Sequence, residues 1–322
     1  MTWLVTGGAG YIGAHVARAL EAAGMGVVVL DDLSSGHREF VAPGTAIVEG
    51  SVVDPATVRA ALTDHSVTGV IHLAGFKYAG VSVERPLHTY EQNVTGMQVL
   101  LSAMLDLDVT QLVFSSSAAC YGSPAVELVT EDLATHPESP YGESKLIGEW
   151  LIRDVARVTQ LRHTSLRYFN VVGSGAPDLY DTSPHNLFPL VLKALTEGRT
   201  PMVRGDDYAT PDGSCVRDYV HVADVAAAHV AAAKALEAGR PLAPVYNLGS
   251  GEGLSVLEIM AAMARVTGIA FTPVIADRRP GDPDRIVASG ALAARDLDWV
   301  QRHTVDQMVQ SAWSAWQSAP HP

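Results

Sequence analysis

Short runs dense in Val, Ile, Leu and Phe alternate, along the first half of the chain, with longer stretches whose apolar residues recur at helical spacing. Residues 2–6, 27–31, 46–49, 69–73, 111–116 and 164–168 form such runs, and strands buried on both faces require this pattern. Helices are predicted near 11–23, 55–63, 86–107 and 141–159. Beyond Tyr168, residues 173–189 and 205–214 are rich in Gly, Pro, Asp and Asn, with a short helical pattern at 186–195 between them, and read as excursions from a sheet. A helix at 222–236 and a strand at 245–248 return to it, while 255–266, 271–275 and 304–316 predict a small mixed unit.

The strand–helix alternation predicts an α/β fold: a Rossmann-type doubly wound parallel sheet with a smaller C-terminal mixed α/β lobe. The sheet domain is expected from 1–172 and 218–249, the smaller lobe from 173–217 and 250–322, with a ligand cleft between them. Composition narrows what the cleft holds. The 322 residues are 48% hydrophobic and 18% charged, with a formal charge of −13. No Lys/Arg cluster offsets that charge, which speaks against a nucleic-acid groove or an anionic membrane surface and favours small-molecule chemistry. Cys120 and Cys215 have no metal-ligand spacing, so neither a disulfide framework nor a zinc site is expected, and a reducing cytoplasm fits. None of the 12 histidines sits at the i, i+4 spacing of a helical zinc pair, and His72 and His221 read as structural. The most apolar stretch, 222–236, is too short for a bilayer and contains Asp224, His229 and Lys234. The N-terminus has no basic segment and a motif begins by Gly7, so no signal peptide is expected.

That motif is Gly7-Gly8-Ala9-Gly10-Tyr11-Ile12-Gly13, between the first strand and the first helix. Glycines let the backbone turn sharply and approach a pyrophosphate, whose charge then meets the helix N-terminus. Asp31 ends the second strand, where a carboxylate accepts the hydroxyls of an adenine ribose and repels a 2′-phosphate, favouring NAD over NADP.

Tyr141-Gly142-Glu143-Ser144-Lys145 places a phenol and an ammonium one helical turn apart. Random placement of the tyrosines and lysines yields only about 0.12 such pairs in the chain. Ser115-Ser116-Ser117 stands at the carboxyl edge of the predicted sheet, where ligands bind. The combination suits removal of hydride from a carbinol, which requires a base for the hydroxyl proton. A nearby ammonium and a positive nicotinamide ring favour the phenolate that serves as that base, and a serine hydroxyl can relay the proton.

Together these residues resemble the extended short-chain dehydrogenase/reductase superfamily and, more narrowly, the UDP-galactose (UDP-glucose) 4-epimerases. The narrower likeness covers nearly the whole chain. It is carried by His72-Leu73-Ala74-Gly75-Phe76-Lys77, Asn93-Val94, Ser115-Ser116-Ser117-Ala118, Ser139-Pro140-Tyr141-Gly142, Leu166-Arg167-Tyr168-Phe169-Asn170, Gly205-Asp206-Asp207-Tyr208, Val216-Arg217-Asp218-Tyr219-Val220-His221-Val222 and Tyr246-Asn247-Leu248-Gly249. The resemblance implies an isomerase that interconverts UDP-galactose and UDP-glucose through a transient 4-keto sugar and enzyme-bound NADH. Tyr141 is then the base, Ser117 its relay, and Lys145 the partner of the nicotinamide ribose. It implies further cofactor contacts at Gly7, Gly10, Tyr11, Ile12, Gly13, Asp31, Ser51, Val52, Leu73, Ala74, Gly75, Lys77, Asn93, Ser115 and Tyr168. For the UDP-hexose it implies Lys77, Asn170, Asn186, Leu187, Arg204, Arg217, Arg279 and Asp282, with the two arginines gripping the diphosphate. No metal is expected. The resemblance implies a homodimer through helices 86–107 and 141–159, where Leu146, Ile147, Trp150 and Leu151 offer apolar surface, although packing against the sheet explains some of them equally well.

Departures from the family pattern bear on selectivity. Ser51 replaces an aspartate near the adenine, Arg204 an aromatic residue beside uracil, and Val171 a proline after Asn170. Ile286 stands where a bulky tyrosine excludes N-acetylated sugars, so weaker activity on UDP-N-acetylhexosamines is expected. A nucleotide-sugar 4,6-dehydratase shares the first oxidation but needs an Asp-Glu pair after the catalytic hydroxyl residue, and Ala118-Ala119 follow Ser117 here. A uronic-acid epimerase or decarboxylase needs a carboxylate pocket, to which no residue is assigned. A non-catalytic NAD sensor would be marked by loss of the tyrosine or lysine, and both are present.

Overall fold

In a computed structural model, which describes residues 1–279 and 282–319, the apolar runs become β1 (Thr2–Thr6), β2 (Gly26–Asp31), β3 (Ala46–Glu49), β4 (Gly69–His72), β5 (Gln111–Ser117), β6 (Arg162–Tyr168) and a last strand, Val245–Leu248. Pro280 and Gly281, inside the Arg279-to-Asp282 motif, lie outside the described residues. The seven strands pair in parallel in the order β3-β2-β1-β4-β5-β6, followed by the last strand.

Side-chain alternation explains the continuous apolar runs. Trp3 and Val5 pack with Val16 and Leu20 of helix α1 (Tyr11–Ala22) and with Val225 and Ala232 of the helix Val222–Glu237 on one face. Leu4 packs on the other, with Val58 of α2 (Pro55–Asp64), Leu100 of the helix Gly96–Asp106 and Ile152 of the helix Pro140–Ala156. Both faces are covered, so no polar alternation survives. From β1 the chain steps outward to β3, then crosses back to β4 and continues the other way. That reversal opens a crevice at the carboxyl ends of β1 and β4, the binding place in open sheets of this kind.

The long helix expected at 86–107 is interrupted. It runs as Pro86–Tyr90, a π-helical turn at Glu91–Thr95, and Gly96–Asp106. The wider turn accompanies an inward Asn93 that bonds a neighbouring loop. The helix Ala79–Glu84 is too short for its period to be legible in the sequence. The strand expected at 271–275 is shifted to Val274–Ala276, because Pro273 has no N–H to give and Val274 N–H is the first to reach Pro201 O, at 2.9 Å.

Phe188, Leu192, Ile259, Met263 and Met308 join the helices Leu187–Thr196, Val256–Thr267 and Val305–Ser318 into a second core. Three small ladders edge it. Asn170–Val172 pairs with Tyr219–His221, Met202–Arg204 with Val274–Ala276, and Val216–Arg217 with both Leu254–Ser255 and Arg285–Ile286. The last ladder sets Ile286 opposite Arg217. Of the apolar residues weighed between a subunit surface and packing on the sheet, Leu146 is buried in the chain's own interior at 5% exposure, whereas Trp150 is 46% exposed. Among the described residues no helix is long and apolar enough to cross a membrane.

Four histidines are buried and neutral. His15 Nε2 accepts Gly175 N–H at 2.8 Å, His221 Nδ1 accepts Ala223 N–H at 3.0 Å, His229 Nε2 lies 2.7 Å from Ser115 Oγ, and His72 Nδ1 lies 2.7 Å from Thr6 Oγ1. Burial pushes His15, His221 and His229 down to about 4 and His72 to about 3. The folded form therefore stays neutral where the unfolded chain takes up protons, so stability is lost as pH falls below the unfolded value of about 6.5 towards 4. Each histidine contributes a loss of roughly 1 kcal/mol at a pH one unit below that value. The melting temperature should drop steeply between pH 7 and pH 5; a midpoint unchanged over that range contradicts the assignment.

Candidate active site

A single cavity of about 1350 Å³ occupies the crevice, more than one drug-sized ligand fills. The carboxyl ends of β1 to β4, the segments after them and the start of α1 contribute Gly7, Gly10, Tyr11, Ile12, Gly13, Asp31, Ser51, Val52, Leu73, Ala74, Gly75 and Lys77 to its wall. Ser117, Tyr141, Lys145 and Tyr168 come from β5, β6 and the helix Pro140–Ala156; Asn170, Asn186, Leu187, Arg204, Arg217, Arg279, Asp282 and Ile286 come from the small ladders and their loops.

The glycine loop is shaped by close approach. Gly7 has φ +71°, and a Cβ there would lie 2.8 Å from Ala74 N; a Cβ on Gly13 would overlap the Gly7 carbonyl oxygen. Gly10 caps α1 without a side-chain bond and the first turn carries no acid, leaving its N–H groups for an anion from outside. Asp31 accepts Ala9 N–H and Leu33 N–H, each at 2.9 Å. Burial raises its pKa, and these two bonds oppose the rise. Burial also lowers Lys77, while the carboxylates of Asp181 and Asp31 pull it back up. These donors, and the lack of room for side chains, fit a dinucleotide.

The helix that carries Tyr141 begins at Ser139, whose Oγ accepts Gly142 N–H at 3.2 Å. Lys145 Nζ donates to Ser115 O at 2.9 Å and lies 5.9 Å from the centre of the Tyr141 ring. Burial pushes the Tyr141 phenol up to about 12, and a hydrogen bond with Ser117 opposes the rise. Burial also takes Lys145 down to about 8. The sequence leads one to expect the ammonium and a positive nicotinamide ring together to favour phenolate; in the protein alone desolvation dominates, and Nζ is turned to a carbonyl and over the Phe114 ring, 5.0 Å away.

Two residues expected at the cofactor do not line the cavity. Asn93 Oδ1 accepts Phe76 N–H at 2.6 Å while its Nδ2 donates to Phe76 O and to Ser144 Oγ, so the amide is spent on holding the loop before Lys77. Ser115 Oγ faces His229, and only its carbonyl serves Lys145.

At the other wall, Arg217 pairs with Asp282 at 3.4 Å rather than with Asp218 or Asp224. Asp218 is occupied by Ser250 and Ala288 backbone N–H groups, and Asp224 by His303. The Arg217 nitrogen of the Asp282 pair, Nη2, is buried and makes no hydrogen bond, so it has donor capacity left for an incoming anion. Asn186 Nδ2 donates to Asp181 at 2.7 Å. The sequence reading missed Asp181, Tyr78 and His185, which also line the cavity, since nothing in their spacing marks them. Among the described residues, no group of three His, Cys, Asp or Glu is placed to hold a metal ion.

The sequence profile of the NAD dependent epimerase/dehydratase family matches residues 3–249. The chain is 41% identical to a UDP-glucose 4-epimerase of Lactobacillus helveticus, over 99% of this chain and 98% of that one. The fold is similar to that of a UDP-glucose 4-epimerase from Stenotrophomonas maltophila with bound NAD and formylated UDP-arabinopyranose, at TM-score 0.94 and 37% identity, covering 99% of this chain and 98% of the other. It is similar also to a UDP-Glc/GlcNAc 4-epimerase from Campylobacter jejuni, at TM-score 0.86 and 31% identity, covering 99% of each. Profile, near-complete coverage and shared fold agree, and the chain belongs to the NAD dependent epimerase/dehydratase family.

Proposed function

We propose that this protein is an NAD-dependent UDP-glucose 4-epimerase, interconverting UDP-galactose and UDP-glucose. The observation that carries the reading is one cavity shared by a dinucleotide loop, a Tyr-Ser-Lys centre and Arg217, whose Nη2 is buried. The glycine loop and Asp31 hold the cofactor, with Lys77 beside the phosphates. Arg217 and Arg279 hold the diphosphate of UDP, Asp282 the uridine ribose, and Asn170, Asn186 and Leu187 flank the nucleotide sugar.

NAD, when bound, accepts the hydride from C4 and brings a positive ring beside Tyr141. Ser117 Oγ already accepts Ala119 N–H at 3.1 Å, which leaves its own proton for the phenolate. The sugar 4-hydroxyl proton then passes to Ser117 Oγ as the serine proton passes to Tyr141. Lys145, fixed by the Ser115 carbonyl, orients the nicotinamide ribose and stabilises negative charge on the phenol. The reverse transfer to the opposite sugar face completes epimerisation. Ala118 and Ala119 offer neither the acid nor the base that dehydration requires.

Purified protein given UDP-galactose should produce UDP-glucose. Tyr141→Phe should lose at least about 100-fold in turnover, the scale of a general base, while still binding NAD; near-normal turnover in this variant overturns the assigned base.

Ile286 lines the cavity, opposite Arg217 in the small ladder, and in this reading it is the residue that borders the 2-substituent of the hexose. N-acetylated substrates should be converted, though less efficiently than the unsubstituted pair. Ile286→Tyr should lower the N-acetyl-to-unsubstituted efficiency ratio by about 10–200-fold; an unchanged ratio removes the residue from that role.

The protein works in the cytoplasm as a homodimer, through the helical stretch 86–106 and the helix Pro140–Ala156. Leu87, 83% exposed, and Trp150 supply apolar surface there. Light scattering at micromolar concentration should report twice the monomer mass of 34.1 kDa; the monomer mass overturns this arrangement.

A further inference from the structure

We propose that Tyr78 and His185 form a two-sided aromatic gate over the hexose end of the cavity, retaining the 4-keto sugar while it turns. The proposal rests on the epimerase reading above. Tyr78 belongs to the loop after β4, and His185 to the loop that enters the helix Leu187–Thr196. Both residues line the cavity, and their rings meet edge to face with centroids 5.1 Å apart and planes at 71°. This contact joins a loop of the main sheet to a loop of the small lobe.

Its position follows from the backbone. Tyr78 O accepts Ser82 N–H at 2.8 Å, and Ser82 Oγ accepts Tyr141 N–H at 3.1 Å. The Tyr78 backbone is therefore one helical turn from Ser82, which holds the backbone of the residue that must touch the sugar 4-hydroxyl. On the other side, His185 directly precedes Asn186, whose amide is held by Asp181.

One half of the gate is rigidly mounted. The Phe76 ring packs edge on against Tyr78 at 5.6 Å and against His88 at 5.2 Å. Asn93 clamps both the N–H and the carbonyl of Phe76 and is itself tied to Ser144, the neighbour of Lys145 on the catalytic helix. The mounting of Tyr78 thus shares a frame with the catalytic residues.

Retention matters because oxidation at C4 removes a proton to Tyr141 and a hydride to the bound nicotinamide, and only re-reduction of the same sugar restores the enzyme. A keto sugar that escapes leaves one reducing equivalent behind. An edge-to-face pair biases a closed-to-open equilibrium by about 2–10-fold, enough to hold a sugar during one turn while still opening for exchange.

The test compares wild type, Tyr78→Ala, His185→Ala, the double variant and Tyr78→Phe, each with UDP-galactose. Reduced nicotinamide is followed at 340 nm and divided by the UDP-glucose formed. Each alanine variant should raise that ratio by about 2–10-fold, and the double variant should exceed the larger single effect only slightly, since either loss opens the gate. Tyr78→Phe keeps the ring and should remain within about twofold of wild type. Unchanged ratios in both alanine variants, or effects that multiply in the double variant, overturn the gate. A wild-type protein that makes no UDP-glucose overturns the epimerase reading itself, and the gate with it.

Discussion

The helix Pro140–Ala156 buries a polar face, and that constraint governs the site. Tyr141, Lys145 and Glu149 recur every four residues and turn towards the sheet, where each polar atom needs a partner. Lys145 finds the Ser115 carbonyl. Glu149, 7% exposed, receives both Arg167 nitrogens and the Ser116 hydroxyl. β5 and β6 thus present a carbonyl, a hydroxyl and a guanidinium at the right heights along one helix. Breaking a buried pair of this kind leaves an uncompensated charge, at a cost of about 3–5 kcal/mol, so helix and sheet are locked in register. Tyr141, at the open end of the row, keeps its hydroxyl for the cavity.

The same lock extends sideways through Asn93. Placed in a π-helical turn, its amide reaches both polar groups of the Phe76 backbone and the Ser144 hydroxyl. The loop that carries Lys77 and Tyr78 is therefore fixed relative to the catalytic helix. Pre-organisation of this kind lets a positively charged donor and a base meet a ligand with little reorganisation. Gly75 completes it: at φ +147° a Cβ there would lie 2.5 Å from Asn93 Oδ1, so the clamp closes only on a glycine.

Electrostatics divide the cavity. Desolvation drives the Tyr141 phenol up and the Lys145 ammonium down, so burial alone opposes the charges that catalysis needs. At the far wall, Arg217 Nη2 is buried and meets Asp282 only as an ion pair at 3.4 Å without a hydrogen bond, so it has donor capacity left for an anion.

Sequence alone determined whatever is written in neighbouring residues. The seven strands of the sheet, the glycine loop before α1, Asp31 at the tip of β2 and the Tyr141–Lys145 pair were legible because period and spacing act within a few residues. Tertiary structure alone decided the π turn at Asn93, the loss of Asn93 and Ser115 from the cavity wall, the choice of Asp282 as the partner of Arg217, the burial of Leu146 and the meeting of Tyr78 with His185. Each depends on segments brought together by the sheet's strand order, as when Asn93 closes on a backbone 17 residues away. The Tyr141 phenol belongs with them, since its proton affinity follows from how much water the surrounding chain removes, a quantity that no local pattern encodes.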